Sequence, residues 1–292
     1  MDDKNRTLTD EQLTQELRKN SGGKLGGKIL AFLGVAIAVI GIILGGNLIL
    51  ILIGVVILGL GQMTQGKSKN KASQQAFDTL VPDIVNTVFD NVQIDPTPHL
   101  LKAEETNIPL PAHDYCNGNG YIQGIYHGLT TELCTIKLTD TTEFQREETG
   151  LWEKNEREIY TGQWMLCKLD HEFPTWLTIW PKERLDKLCS SKTIKTGNEI
   201  FDKRFNLSSD NETATLHILT NGCLEQIIAL ADTSFGKFSI NLNADGRLYL
   251  AVHSGRSFFD IGKARETPVQ LRQRFSRELT WFTDMIDVFR NM

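Results

Sequence analysis

ILAFLGVAIAVIGIILGGNLILILIGVVILGL, residues 29–60, holds no charged residue in thirty-two positions, and Asn47 is its one strongly polar side chain. A run this apolar reads as a membrane segment. As one straight helix it would extend roughly 48 Å, against a hydrocarbon core of about 30 Å. Gly45-Gly46-Asn47, near the middle, supplies residues tolerant of positive φ and a side chain that can bond its own backbone. The run therefore divides into two short spans, about residues 28–44 and 48–63, with Gly46 and Asn47 at the turn of a transmembrane hairpin occupying residues 28–66.

Flanking charge agrees with a hairpin. Arg18, Lys19, Lys24 and Lys28 precede the run and Lys67, Lys69 and Lys71 follow it, while the turn carries no charge. Cationic flanks favour the cytoplasmic side, and only a hairpin keeps both clusters there. The expected location is the inner (cell) membrane, multi-pass, with both termini cytoplasmic. Ala31, Gly34, Ala38, Gly41 and Gly45 recur every three or four residues on the first span, and Gly54 and Gly61 lie seven apart on the second. Small faces of this kind let helix backbones approach in lipid, within the hairpin or against a second copy of the chain.

Composition bounds the rest. Residues 1–28 hold six Lys/Arg against five acids and residues 67–71 hold three Lys, which leaves −9 on residues 72–292 of a chain total of −5. An acidic soluble part argues against nucleic acid as a partner and against broad adhesion to anionic lipid. The five cysteines, Cys116, Cys134, Cys167, Cys189 and Cys223, are scattered and form no CxxC, which suits a reducing compartment.

Residues 1–27 read as a cytoplasmic leader helix and residues 72–107 as an amphipathic helix and linker, leaving residues 108–292 as a soluble α+β domain. In the second segment Phe77, Leu80, Val81, Ile84, Val85, Val88, Phe89 and Val92 follow a helical period as far as Asp95-Pro96. Strands are expected at Tyr121–Tyr126, Thr130–Leu138, Glu158–Leu169 and Trp176–Trp180, with a charged loop over Thr139–Arg157. Pro181 opens a predicted helix to about Cys189. Phe201–Leu207 reads as a strand, and Ser209 with Glu212 as a capping box for a helix to Leu219, although Thr213, Thr215 and Ile218 also suit a strand. A helix over Gly222–Ala231, a hairpin of Phe238–Leu242 and Leu248–Val252, and a final helix after Thr267-Pro268 complete the order. That mixture predicts a mainly antiparallel sheet with flanking helices.

Several stretches resemble a bacterial domain-of-unknown-function family of two-span membrane proteins with a large cytoplasmic C-terminal part. They are Tyr121–Gly128 leading into the strand to Leu138, Tyr160-Thr161-Gly162-Gln163-Trp164, Phe201–Leu219 and Gly246–Ser254. The resemblance implies an envelope complex as the setting, and hence protein partners beside the lipid bilayer. It brings no activity and no catalytic residues.

Direct signatures of chemistry are sparse. Asn241–Gly246 copies the first half of a calcium loop, but the twelfth position is Val252 where a bidentate Glu is needed. His113 and Cys116 lie three apart, with His127 further on, but no zinc spacing completes them. Ser254-Gly255-Arg256-Ser257 has the composition of an anion-binding loop. Trp152, Trp164, Trp176 and Trp180 read as core. No nucleophile elbow, phosphate loop or dinucleotide glycine pattern is present. No catalytic residue, metal ligand or cofactor is assigned on these grounds. The chain reads as a membrane-anchored binding or scaffold module. The alternatives are a tethered enzyme with a site assembled from distant residues, or a cytoplasmic small-ligand sensor.

Overall fold

Alternating β-branched and aromatic residues build one antiparallel sheet of eight strands. These are β1 (Asp90–Asp95), β2 (Tyr115–Tyr126), β3 (Leu129–Gln145), β4 (Trp152–Lys168), β5 (Leu177–Pro181), β6 (Phe205–Ser209), β7 (Lys237–Leu242) and β8 (Arg247–His253). Four helices lying wholly within the described residues accompany them: α1 (Glu199–Arg204), α2 (Glu212–Ile218), α3 (Asn221–Thr233) and α4 (Pro268–Arg290). The architecture is α+β. The computed structural model describes residues 80–95, 101–145, 152–182, 193–261 and 266–292. The leader and the membrane hairpin, with Ala31, Gly34, Ala38, Gly41, Gly45, Gly46, Asn47, Gly54 and Gly61, lie outside the described residues. Among those described, no helix is long and apolar enough to cross a membrane.

The chain divides into two compact units, residues 1–84 with 261–274 and residues 85–260 with 275–292. In the first, the Thr267 backbone N–H donates to Gln270 Oε1 (2.8 Å) and Gln270 N–H donates back to Thr267 Oγ1, a reciprocal cap at the start of α4. Arg272 pairs with Asp83 at 3.1 Å, and Arg274 grips Glu266 through Nε and Nη2.

The second unit carries the sheet, in the order β1-β2-β3-β4-β8-β7-β5-β6. Side-chain alternation sorts its two faces. One row, Cys134, Trp164 and Ala251, lies among Leu101, Ala103 and Ile108 of the segment before β2. The neighbouring row, Thr135, Gln163 and Val252, points to the other face, where Gln163 reaches Glu278 of α4. Phe282 of α4 packs on Phe258, and Trp281 on Phe238. Along α4, Leu271, Phe275, Leu279, Phe282, Ile286 and Phe289 recur every three or four residues and are all buried.

Tertiary pairing overrides local signals at several places. Among the described residues the helix predicted to Val92 ends at Val85, and Asp90–Asp95 is instead the edge strand β1 on β2. Gly124 makes this possible, because a Cβ there would lie 2.7 Å from Cβ of Phe89, whose ring packs edge-on against Tyr126. The linker before β2 contains a short 3-10 turn, Ala103–Glu105, and its Leu101, Ala103 and Ile108 are buried. Asn117–Gly120 belongs to β2 rather than to a loop, with a register shift after Asn119 and Gly120 at φ +64°. The described residues of Thr139–Arg157 are strand rather than loop: Thr139–Gln145 pairs residue for residue with Trp152–Glu158, so β3 and β4 continue past their neighbours as a two-stranded ribbon.

Further along, Pro181 ends β5 opposite Phe205, and the rest of the predicted helix falls in residues 183–192, outside the described residues. Phe201 sits in α1, whose first N–H groups are accepted by the Asn198 side chain, and the strand begins only at Phe205. Asn211, not Ser209, caps α2. Its Oδ1 accepts from Ala214 N–H at 3.1 Å, while the Ser209 hydroxyl donates to the Trp176 carbonyl. The β7–β8 hairpin and α3 form as expected.

Candidate functional site

A cleft of about 620 Å³ opens in the second unit, lined by His171 and Phe173 of the β4–β5 connection, His217 of α2, Cys223 and Gln226 of α3, and Val288 of α4. The size suits a small organic ligand. His171 packs on Phe173 at 4.6 Å, and its Nδ1 lies 2.9 Å from the Asp170 carboxylate, which that hydrogen bond holds below the usual carboxylate range. His171 Nε2 is buried with no hydrogen-bond partner among the described residues. His217 Nδ1 sits 2.8 Å from the Thr213 carbonyl one turn back. Burial pushes the Cys223 thiol up to about 12, which leaves it protonated and a poor nucleophile. The cleft thus offers apolar wall and a few polar groups rather than an activated nucleophile.

The four residues of the predicted anion loop are adjacent after β8, but their donors are turned inward. Gly255 N–H donates to the Thr161 carbonyl at 3.0 Å, Ser254 Oγ donates to the Arg256 carbonyl, and Arg256 Nη2 lies 2.6 Å from Glu278 Oε1. Ser257 gives its carbonyl to the Gln163 amide and to Asp260 N–H. Arg256 is already neutralised by a buried carboxylate, so no cation is presented to an anion. In the calcium-like stretch, Asn241 is buried and donates to Thr178 Oγ1 at 2.9 Å, while Asp245 holds Arg247 at 2.7 Å. Both are occupied in shaping a hairpin.

A third place joins residues that the sequence left apart. Glu104 on the 3-10 turn, His113 before β2 and Cys116 in β2 bring one ligand atom each to within 4.8 Å of one another. The His113-x-x-Cys116 spacing was the visible part; Glu104, in an apparent linker, gave no signal. His127 is not of this group. It lies at φ 48° beside Gly128 in the β2–β3 turn, edge-on to Tyr126.

Aromatic exposure also departs from expectation. Trp164 is fully buried with its Nε1–H donating to Tyr160 Oη, and Trp176 and Trp180 are half-buried. Trp152, however, is 70% exposed on the projecting ribbon, with Phe144 at 43% and Tyr115 at its base also exposed.

The second unit is thus an α+β domain whose described residues hold an eight-stranded antiparallel sheet, a cleft and an exposed aromatic ribbon. Residues 158–291, from the base of the ribbon through α4, match the family described as "Protein of unknown function (DUF3137)". The match includes the Tyr160–Trp164, Phe201–Leu219 and Gly246–Ser254 stretches and leaves out Tyr121–Leu138. No curated protein matches the chain. Among solved structures it is similar to the crystal structure of the mycobacterial trehalose monomycolate transport factor A, TtfA, at 10% identity and TM-score 0.42, over 75% of this chain and 94% of that one.

Proposed function

We propose that this protein is a membrane-anchored binding or scaffold module, held by the hairpin at residues 28–66 and presenting its sheet unit to the cytoplasm, where the β3–β4 ribbon engages a protein partner of a membrane complex. The observation that carries the reading is Trp152, an indole left 70% in water on a ribbon that pairs with no further strand among the described residues. Large exposed aromatics are the side chains on which protein interfaces concentrate their energy. The ribbon's charge selects among surfaces. Residues 139–158 hold seven Asp/Glu against three Lys/Arg, and an anionic leaflet would repel them. Trp152 shares a face with Gln145, Glu143 and Lys154, the last two 3.1 Å apart, so the indole is framed by polar groups as in an interface rim.

The test is recovery of the full-length protein from native membranes in mild detergent. Truncating an anchor worth about 2 kcal/mol weakens binding roughly thirtyfold, so Trp152→Ala should deplete specific companions while its melting temperature stays that of the parent. Companions retained at parental levels would refute the ribbon's role. A second expected result concerns orientation: a cysteine at Asn47 reacts with an impermeant thiol reagent from outside intact cells, and one at Trp152 does not. Labelling at Trp152 from outside would reverse the topology.

The 620 Å³ cleft favours a second reading, a sensor of a small ligand. Its signature is a metabolite that raises the melting temperature of the parent and of Trp152→Ala alike.

A further inference from the structure

Two segments that share no residue with the cleft converge on a set of donors suited to a transition metal. Glu104 is presented by the turn Ala103–Glu105, which enters from Lys102 in the left-handed region and closes with Thr106 Oγ1 donating to the Ala103 carbonyl at 2.7 Å. Ala103 and Leu101 are buried in the face of the sheet that holds Cys134 and Trp164, so the turn has a fixed seat. Lys102 takes Glu105 at 3.3 Å. Glu104 faces the other way, with Oε1 3.1 Å from His113 Nε2. Cys116, the second residue of β2, stands opposite Leu138 and is partly buried against the same apolar cluster.

The histidine is oriented as a ligand would be. Its Nδ1–H donates to the Pro111 carbonyl at 2.9 Å, and in the ion-free site the protonated ring donates Nε2–H to Glu104 Oε1; loss of that proton frees an Nε2 lone pair for a metal shared with Glu104 and Cys116. Its side chain is only 15% exposed, whereas that of Glu104 is 61% exposed and able to adjust. In a tetrahedral site with metal–ligand bonds of about 2.0–2.3 Å, neighbouring donors stand roughly 3.3–3.8 Å apart. Donors already within 4.8 Å need only a small contraction. An imidazole, a thiolate and a carboxylate carry two negative charges, which a divalent ion cancels; a thiolate with an imidazole selects zinc-class metals over magnesium or calcium.

We propose that Glu104, His113 and Cys116 form a binding site for a zinc-class divalent transition metal, with water in the fourth position. Binding forms bonds to Glu104 Oε1, His113 Nε2 and Cys116 Sγ, and the thiol proton and the proton on His113 Nε2 leave to solvent. The ion fastens the segment before β2 to that strand. Burial and the Glu104 carboxylate raise the Cys116 thiol pKa, so without an ion this cysteine is a protonated, unreactive group.

The full-length protein in detergent, stripped with a chelator and titrated with Co²⁺, tests the site. Expected are one equivalent bound, visible bands of tetrahedral intensity, a near-ultraviolet thiolate-to-cobalt charge-transfer band, and displacement of all of these by Zn²⁺. Cys116→Ser removes the charge-transfer band, and His113→Gln weakens Co²⁺ binding by at least about tenfold. His113 sits on an irregular segment outside the core, so His113→Gln carries the test should Cys116→Ser fail to fold. Absence of the bands in the parent protein at molar excess of Co²⁺, or their survival at parental affinity in His113→Gln, overturns the proposal.

Discussion

Replacing Gly246 by valine is expected to destabilise the sheet unit by about 3–5 kcal/mol, which for a domain of this size lowers the melting temperature by roughly 6–20 °C. Two costs add at this position. The residue sits at φ +83° in the β7–β8 turn, a region that β-branched side chains avoid. A Cβ there would also lie 2.3 Å from the His171 carbonyl oxygen, and that atom belongs to backbone that cannot rotate aside. The turn is braced on both sides, with Gly246 N–H donating to the Asn243 carbonyl at 3.0 Å and the Gly246 carbonyl accepting from Leu169 N–H at 2.9 Å. Gly128 separates the two costs. It has φ +85° but open space for 4 Å around the place a Cβ would take, so Gly128→Ala should cost only about 1 kcal/mol. Tryptophan-fluorescence melting of the detergent-solubilised protein measures both. Equal losses at the two glycines would mean that the His171 carbonyl is not the obstacle.

Arg256→Met is expected to cost about 3 kcal/mol. Glu278 is 2% exposed on α4, and Arg256 Nη2 is its guanidinium partner at 2.6 Å. Without the arginine the carboxylate keeps the Gln163 amide at 3.2 Å but loses that counter-charge. Removing one ion-pair partner of a buried charge is among the larger single-site penalties, here moderated because the Arg256 side chain is 31% exposed. The network is also only partly satisfied, since Gln163 Oε1 and Arg256 Nε are buried without hydrogen-bond partners among the described residues. The double variant Arg256→Met/Glu278→Met should therefore recover more than half of the loss, by removing both charges together. Additive losses in the double variant would show that the two side chains act independently.

These positions mark where local reading succeeds and where it stops. The β7–β8 hairpin was legible because Asn243-Ala-Asp-Gly246 and the flanking alternation are written within a few residues, and α4 because its apolar residues from Leu271 to Phe289 repeat over about five turns. The Arg256–Glu278 pair was not legible: the loop composition of Ser254–Ser257 is that of an anion cradle, and only the fold places a buried carboxylate against it from 22 residues away. Glu104 was equally hidden, because nothing in a stretch resembling a linker signals a turn seated on a sheet.

The amino-acid sequence by itself determined the charge-free run at residues 29–60, the acidic balance beyond it, the α+β class and most strand and helix centres, since all of these follow from composition and from periods of 2 and 3.6 along the chain. The tertiary structure decided the rest. It turned residues 90–95 into an edge strand, extended the β3–β4 hairpin into a ribbon carrying Trp152, and inserted β8 between β4 and β7. It also gathered Glu104, His113 and Cys116. Each outcome rests on hydrogen bonds and buried area shared between segments far apart in sequence, and such cooperative terms exceed the few tenths of a kcal/mol per residue, on the order of 0.5, that local propensity supplies.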